Sequence, residues 1–176
     1  MFIEMIIDTF KNDKDCKEII VVLKEEEFYY LDKIDNIILV NGGSTRFDSV
    51  KNGLSKVSCD FVMIHDGARP FINYDIIKEH KEHLILYDAC VSAISLVDSI
   101  KRIDNKGLLS NINRNSLMSI QTPQSFKSKL IIKAYNLSNR NDYTDDACVL
   151  EDVLGILSYC VKGDSCNYKI TNKEDL

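Results

Sequence analysis

Long apolar runs are missing from this chain, as are paired cysteines, frequent prolines and any excess of positive charge. No uninterrupted apolar stretch comes near the roughly 20 residues that cross a bilayer. The opening MFIEMIIDTF carries Glu4 and Asp8, which excludes a secretory signal. Acidic residues number 27 against 22 basic ones, for a formal charge of −5. The basic face that nucleic-acid binding requires is therefore absent. A phosphorylated small molecule stays open as a ligand, because a few local Lys and Arg suffice for it. The six cysteines form no CxxC pair and no Cys/His metal spacing. They read as reduced, mostly buried thiols of a cytoplasmic protein. Only Pro70 and Pro123 interrupt the chain, and no repeat, linker or low-complexity segment divides its 176 residues. That length fits one domain with a single sizeable core.

What is present alternates. Phe2, Ile3, Ile6, Ile7 and Phe10 recur at helical spacing, so an amphipathic helix is expected first. EIIVVL at 18–23, NIILV at 36–40 and FVMI at 61–64 read as strands, the first two covered on both faces. EEEFYYLDKI, TRFDSVKNGLSKV and NYDIIKEHKEHLILYDA read as helices, and CVSAISLV as a fourth strand. Such alternation predicts an α/β fold with a mostly parallel sheet. After Val97 the pattern changes, and short pieces around DNKG predict a β-hairpin arm over about 98–117. KSKLIIKAYN and TDDACVLEDVLG read as helices, the second capped by Thr144, with LSYCVKG and NYKIT as closing strands.

In open parallel sheets, ligands gather beyond the carboxyl ends of the strands. Two segments fall there. NGGSTRFDSVKNGL runs from a strand end into a helix, with Gly42 and Gly43 letting the backbone approach a ligand closely. HDGARPF sets Asp66, Gly67 and Arg69 on one turn. Asp66 suits a metal or a ribose hydroxyl, and the Arg69 fork suits a phosphate. Taken singly these signals are weak, since a glycine pair often marks a plain turn and a strand-end acid a cap. His65 reads as a packed group rather than a base. His80 and His83 fall on a polar helix face and suggest no role.

Taken together, GGSTRFDSVKNGL, HDGARPF, RNSLMSIQTPQSF, TDDACVLE and GDSCNYKITNKEDL, in that order and spacing, resemble the 2-C-methyl-D-erythritol 4-phosphate cytidylyltransferase family over essentially the whole chain. The resemblance implies a Rossmann-like three-layer α/β domain with a protruding β-arm that interlocks two subunits of a homodimer. It implies transfer of CMP from CTP to methylerythritol phosphate, with release of pyrophosphate, in non-mevalonate isoprenoid biosynthesis. The family uses Mg²⁺ or another divalent cation, and Asp66 is the residue placed to meet it. Gly42, Gly43, Arg46, Ser49, Asp66 and Gly67 would lie around the nucleotide. Asp66, Arg69, Ser99, Arg114, Thr122 and Lys169 would meet the sugar-alcohol phosphate, Arg114 and Lys169 as the catalytic pair that positions it. Ser99 and Arg114 lie on the arm, which in the family reaches the other subunit's site. Ser99 stands where threonine is usual and keeps the hydroxyl.

Two other readings stand beside this one. A sister cytidylyltransferase acting on ribitol 5-phosphate shares HD, RPF and TPQSF. A non-catalytic remnant that dimerises through its arm is the other. The family opens with a strand, a glycine-rich loop bearing an arginine, and a Pro-Lys-Gln segment, which together hold the triphosphate. It closes with a further helix. None of these has a counterpart here. The expectation is a member shortened at its N-terminus and slightly at its C-terminus, with strands left unpartnered and little activity alone.

Overall fold

The computed structural model describes residues 2–175. Helix α1 (Phe2–Lys11) forms as its apolar spacing dictates, with Ile6 and Ile7 buried. Strands β1 (Ile20–Leu23) and β2 (Ile38–Asn41) pair in parallel, Ile20 opposite Ile38 and Leu23 opposite Asn41. A 3₁₀ helix over Glu25–Leu31 joins them, where an ordinary helix was expected. β2 buries only Val40, because it is the outer strand of a two-stranded sheet and not covered on both faces.

Helix α2 (Arg46–Leu54) starts at a reciprocal cap: the Thr45 hydroxyl accepts from the Asp48 N–H, and the Asp48 carboxylate accepts from the Thr45 N–H. Then follow β3 (Phe61–Ile64), α3 (Tyr74–Leu84), β4 (Ala89–Ser95), β5 (Lys101–Ile103), β6 (Leu109–Asn111), β7 (Met118–Lys127), α4 (Ser128–Leu137), α5 (Asp146–Leu154) and β8 (Tyr159–Lys162). Asp145, not Thr144, caps α5, accepting from the Cys148 N–H at 2.8 Å. NYKIT forms no strand; the Ile170 N–H donates to the Ala68 carbonyl and the segment is otherwise irregular.

The main sheet has the order β3-β7-β4-β8. β7 runs against β3 and β4, while β8 is parallel to β4, so β3, β4 and β8 share one direction. β7 has no counterpart among the strands expected from the sequence. Helices cover both faces. Phe47, Leu54, Ile131, Tyr135, Val149 and Leu150 of α2, α4 and α5 pack with Phe126 on one side. Ile6, Ile76 and Ile77 of α1 and α3 pack with Met63 on the other. Consecutive residues of β3 serve opposite faces, Val62 and Ile64 toward the first group and Met63 toward the second, as the pleat demands.

β1 and β3 do not pair with each other. An apolar cleft of about 790 Å³ lies between them, floored by Ile3 and Ile7 of α1 and by Val50 and Leu54 of α2. The register identifies the backbone groups that face it. The Ile19 and Leu23 carbonyls accept from Ile38 and Gly42, so alternation turns Ile20 and Val22 away from β2. The Asp60 carbonyl accepts from Ser128, so Val62 and Ile64 face β7 while Phe61 and Met63 face outward.

β5 and β6 form the expected hairpin, with Gly107 at φ +82° in a turn closed by the Asp104 carboxylate, which accepts from the Lys106 and Leu108 N–H groups. Ile103, Leu108 and Leu109 are exposed on it. His80 departs from expectation: it is 0% exposed, with Nδ1 2.5 Å from the Ser125 hydroxyl and Nε2 2.7 Å from that of Ser92. Helix α3 thus presents one polar residue inward because β4 and β7 offer it two hydroxyls.

Candidate active site

β3 ends at Ile64 and the chain turns tightly, the Arg69 N–H donating to the Asp66 carbonyl at 3.0 Å. β7 runs alongside, so the Asp66 N–H donates to the Thr122 hydroxyl at 3.0 Å. The Asp66 carboxylate is gripped from two sides. Lys169 Nζ lies 2.9 Å from Oδ2 and Arg46 Nη2 lies 3.4 Å from Oδ1. Burial pushes this carboxyl's pKa up, but Lys169, Arg46 and Arg69 outweigh it and hold the pKa below the usual carboxylate value.

His65 fixes Thr122. Its Nε2 is 2.9 Å from the Arg69 carbonyl, which can only accept, so Nε2 carries the proton. Nδ1 then accepts from the Thr122 hydroxyl at 3.2 Å. Burial lowers the pKa of the ring and keeps it neutral. With both nitrogens engaged, His65 serves as a packed bridge between β3 and β7.

Arg69 Nη1 donates to the Asn167 carbonyl at 2.9 Å, and Asn167 Nδ2 donates to the Thr122 carbonyl at 2.8 Å. Arg69 Nε and Asn167 Oδ1 are buried without a partner among the described residues. The peptide bond between Thr122 and Pro123 is cis.

The other expected segment supplies the opposite wall. A Cβ on Gly43 would stand 2.2 Å from Asp48 Cβ, so only glycine lets this loop lie on the first turn of α2. The Gly43 N–H donates to the Ser49 hydroxyl at 3.0 Å, and that hydroxyl donates to the Thr45 carbonyl at 2.9 Å. Ser49 therefore shapes the loop. Gly42 is tied to the end of β1 through the Leu23 carbonyl at 2.9 Å. Arg46 opens α2 with its fork seated on Asp146: Nη1 to Oδ1 is 2.9 Å and Nη2 to Oδ2 is 2.7 Å. The Tyr135 hydroxyl adds a third bond to Asp146 at 2.5 Å.

The structure thus brings Gly42, Gly43, Arg46, Ser49, Asp66, Arg69, Thr122 and Lys169 to one end of the sheets, with Gly67 exposed on the Asp66 turn. Ser99 and Arg114 stand apart. Both are exposed near the hairpin, and Arg114 donates to the Val97 carbonyl rather than to the Asp66 cluster. Sequence reasoning missed Asp146, Tyr135, Gln124 and Asn167. The one available signal was the acid pair in TDDACVLE.

Among the described residues no group of three or more His, Cys, Asp or Glu is arranged for a metal ion. Asp66 offers a single carboxylate. That donor set fits Mg²⁺ if phosphate oxygens and water complete the shell, as is usual for this ion.

A family model described as "IspD: 2-C-methyl-D-erythritol 4-phosphate cytidylyltransferase" matches residues 1–176. The chain belongs to this family. A 2-C-methyl-D-erythritol 4-phosphate cytidylyltransferase of Clostridium tetani is 38% identical over 185 aligned residues, covering 99% of this chain and 75% of that protein. Its counterpart in Clostridioides difficile is also 38% identical, over 97% of this chain and 76% of its own. Among solved structures, a 4-diphosphocytidyl-2C-methyl-D-erythritol synthase from Anaerococcus prevotii superposes with a TM-score of 0.91 at 32% identity, covering 99% of this chain and 82% of that one. The cytidylyltransferase of Thermus thermophilus gives 0.87 at 26%, over 99% and 85%. These names do not favour the ribitol 5-phosphate alternative. The α/β architecture expected of a cytidylyltransferase is the one observed.

Proposed function

We propose that the Asp66 cluster carries out cytidylyl transfer from CTP to 2-C-methyl-D-erythritol 4-phosphate in isoprenoid biosynthesis. The observation that carries this reading is the convergence of Arg46 and Lys169 on the Asp66 carboxylate at the sheet ends, within the field of Arg69, whose Nε is buried and unpaired among the described residues. A buried, unpartnered guanidinium N–H is the donor that a phosphate oxygen takes. In the reaction an oxygen of the acceptor phosphate attacks the α-phosphorus of CTP, the bond to the bridging oxygen breaks, and pyrophosphate leaves with the electron pair. The attacker is already anionic. No covalent nucleophile or base is required, which agrees with a neutral, fully engaged His65. Catalysis is then alignment plus charge neutralisation.

Gly42, Gly43, Arg46 and Ser49 form the nucleotide wall, and Arg69, Thr122 and Lys169 the acceptor wall. Asp66 would hold Mg²⁺, which supplies neutralising charge to the phosphates. Lys169 balances the charge of the Asp66 carboxylate. Ser99 and Arg114 reach a site only across a homodimer formed through the exposed arm of a cytoplasmic protein. The six cysteines are free, but only Cys90 is buried, against the expectation of mostly buried thiols.

An extended strand between β1 and β3, such as the resemblance implies for the family's opening segment, would complete the sheet, and the loop after it would meet the triphosphate. The deciding experiment follows pyrophosphate release from CTP, with and without such a segment attached, offering methylerythritol phosphate or ribitol 5-phosphate as acceptor. Turnover with the first and not the second supports the reading. Equal turnover, or preference for ribitol 5-phosphate, removes it.

A further inference from the structure

Asp146 has no solvent exposure, yet it carries a carboxylate at the first turn of α5. Its oxygens accept from Arg46 Nη1, from Arg46 Nη2 and from the Tyr135 hydroxyl. Gln124 of β7 braces the same turn, its Oε1 accepting from the N–H groups of Asp146 and Ala147 at 3.1 and 2.9 Å. Three elements therefore converge behind one guanidinium. Arg46 itself is one-third exposed, lines the cleft and still reaches Asp66 with Nη2.

A buried ion pair adds little net stability over a well-packed apolar contact, because both ions lose their hydration. Phe47, Tyr135, Val149 and Leu150 already join α2, α4 and α5 through an apolar core. The pair does contribute direction. A two-pronged contact to a fixed carboxylate leaves a guanidinium one orientation, where a lone contact would leave it several.

We infer that Asp146 is a positioning residue for the nucleotide, holding the Arg46 fork so that its free edge faces the ligand beside Asp66. The inference rests on the proposed placing of the nucleotide against Arg46. Asp146 touches no substrate; it acts through Arg46 alone.

A double-mutant cycle tests this. CTP is titrated into the full chain, into Asp146→Asn, into Arg46→Ala and into the double variant, with binding followed by the Gly42 and Gly43 amide resonances. Each single change is expected to weaken CTP at least fivefold, and the double variant to bind no more weakly than Arg46→Ala. If Asp146→Asn weakens CTP as much in the Arg46→Ala background as in the parent, or lowers Tm without changing CTP affinity, the inference is overturned. Should Asp146→Asn fail to fold, Arg46→Lys keeps the charge and removes the fork. Lys at that position should bind CTP as poorly as Ala, and parental affinity there overturns the inference. If Arg46→Ala itself leaves CTP binding unchanged, the placing of the nucleotide falls and takes this inference with it. If Arg46→Ala weakens CTP and Asp146→Asn does not, the positioning role alone falls.

Discussion

On the β7 side of Asp66, the Asp66 N–H, the Thr122 hydroxyl and both nitrogens of His65 are each engaged. On the β1 side, Ile20, Val22, Phe61 and Met63 turn their backbone groups into an apolar cleft of about 790 Å³. The two flanks hold Asp66 by different means, the first at its backbone N–H and the second at its carboxylate. The first is a hydrogen-bonded lattice whose geometry is set before any ligand arrives. The second is a single arginine braced from behind, next to strand edges that a further strand could pair. Preorganisation in this site is therefore lopsided. The flank proposed to hold the acceptor is fixed by the sheet, and the flank proposed to hold the nucleotide borders the open cleft.

The sharpest way to break this comparison is to fill the cleft. An apolar strand followed by a cation-bearing loop, fused ahead of Phe2 or added as a peptide, is expected to raise turnover a hundredfold or more over residues 1–176 alone, since one positioned donor commonly carries that much. Amide exchange at Ile20, Val22, Phe61 and Met63 should slow at the same time. Pyrophosphate release by residues 1–176 alone at the rate of the extended protein would show that the two flanks are equally complete.

The paired flank can be probed by pH. Burial first, and the neighbouring His83 second, push the His80 pKa down from 6.5 to about 4. Between those values the unfolded chain binds a proton that the folded protein refuses. The contribution of His80 to stability is therefore complete above pH 6.5 and is lost as the pH drops toward 4, by about 3 kcal/mol. Urea unfolding at pH 7 and pH 4.5 measures it, and His80→Gln should flatten the slope. An unchanged slope in that variant would place the acid sensitivity elsewhere.

Within the acceptor wall, Arg69→Ala or Lys169→Ala is expected to cost at least tenfold in kcat/KM for the sugar-alcohol phosphate, from about 1.5–3 kcal/mol per charged hydrogen bond. CTP affinity should hold. An equal loss in CTP affinity would erase the division between the walls. The smallest effect on the subunit itself is expected at the arm. Leu108→Ser with Leu109→Ser should convert a dimer to monomer in light scattering, while exposed sites of this kind change subunit stability by about 0.5 kcal/mol or less. A parent protein that is monomeric at high concentration would remove the arm's role in assembly.

Helices α1, α2, α3 and α5 were legible because their apolar spacing and acids mark them directly. β7 was not. Its buried residues include Gln121, Thr122, Gln124 and Ser125. Each finds a partner far along the chain, as Gln121 Nε2 does at the Asp164 carbonyl and Ser125 does at His80. A strand buried by polar satisfaction leaves no apolar signature, and Pro123 argues against it locally. The reverse error occurred at NYKIT, which looked like a strand but pairs with no strand among the described residues; its backbone ties are the Asn167 N–H to the Asp164 carbonyl and the Ile170 N–H to the Ala68 carbonyl. At the site, strand-end logic located Gly43, Asp66 and Arg69. It could not reach Asp146, whose partner Arg46 lies 100 residues earlier and whose local sequence announces only a helix start.

The grip of Lys169 on Asp66 has a consequence in time. The two residues are 103 apart in the chain, and Arg46 and Asp146 are 100 apart. Closing contacts of such span comes late, because the entropy of a long loop must be spent before the contact rewards it. A chain emerging from synthesis can lay down α2 and β3 early, yet Arg46 remains without its brace until Asp146 has been made, and Asp66 without its lysine until Lys169 follows. The charge-balanced Asp66 cluster is therefore expected to close only after the segment that carries Lys169 has been made.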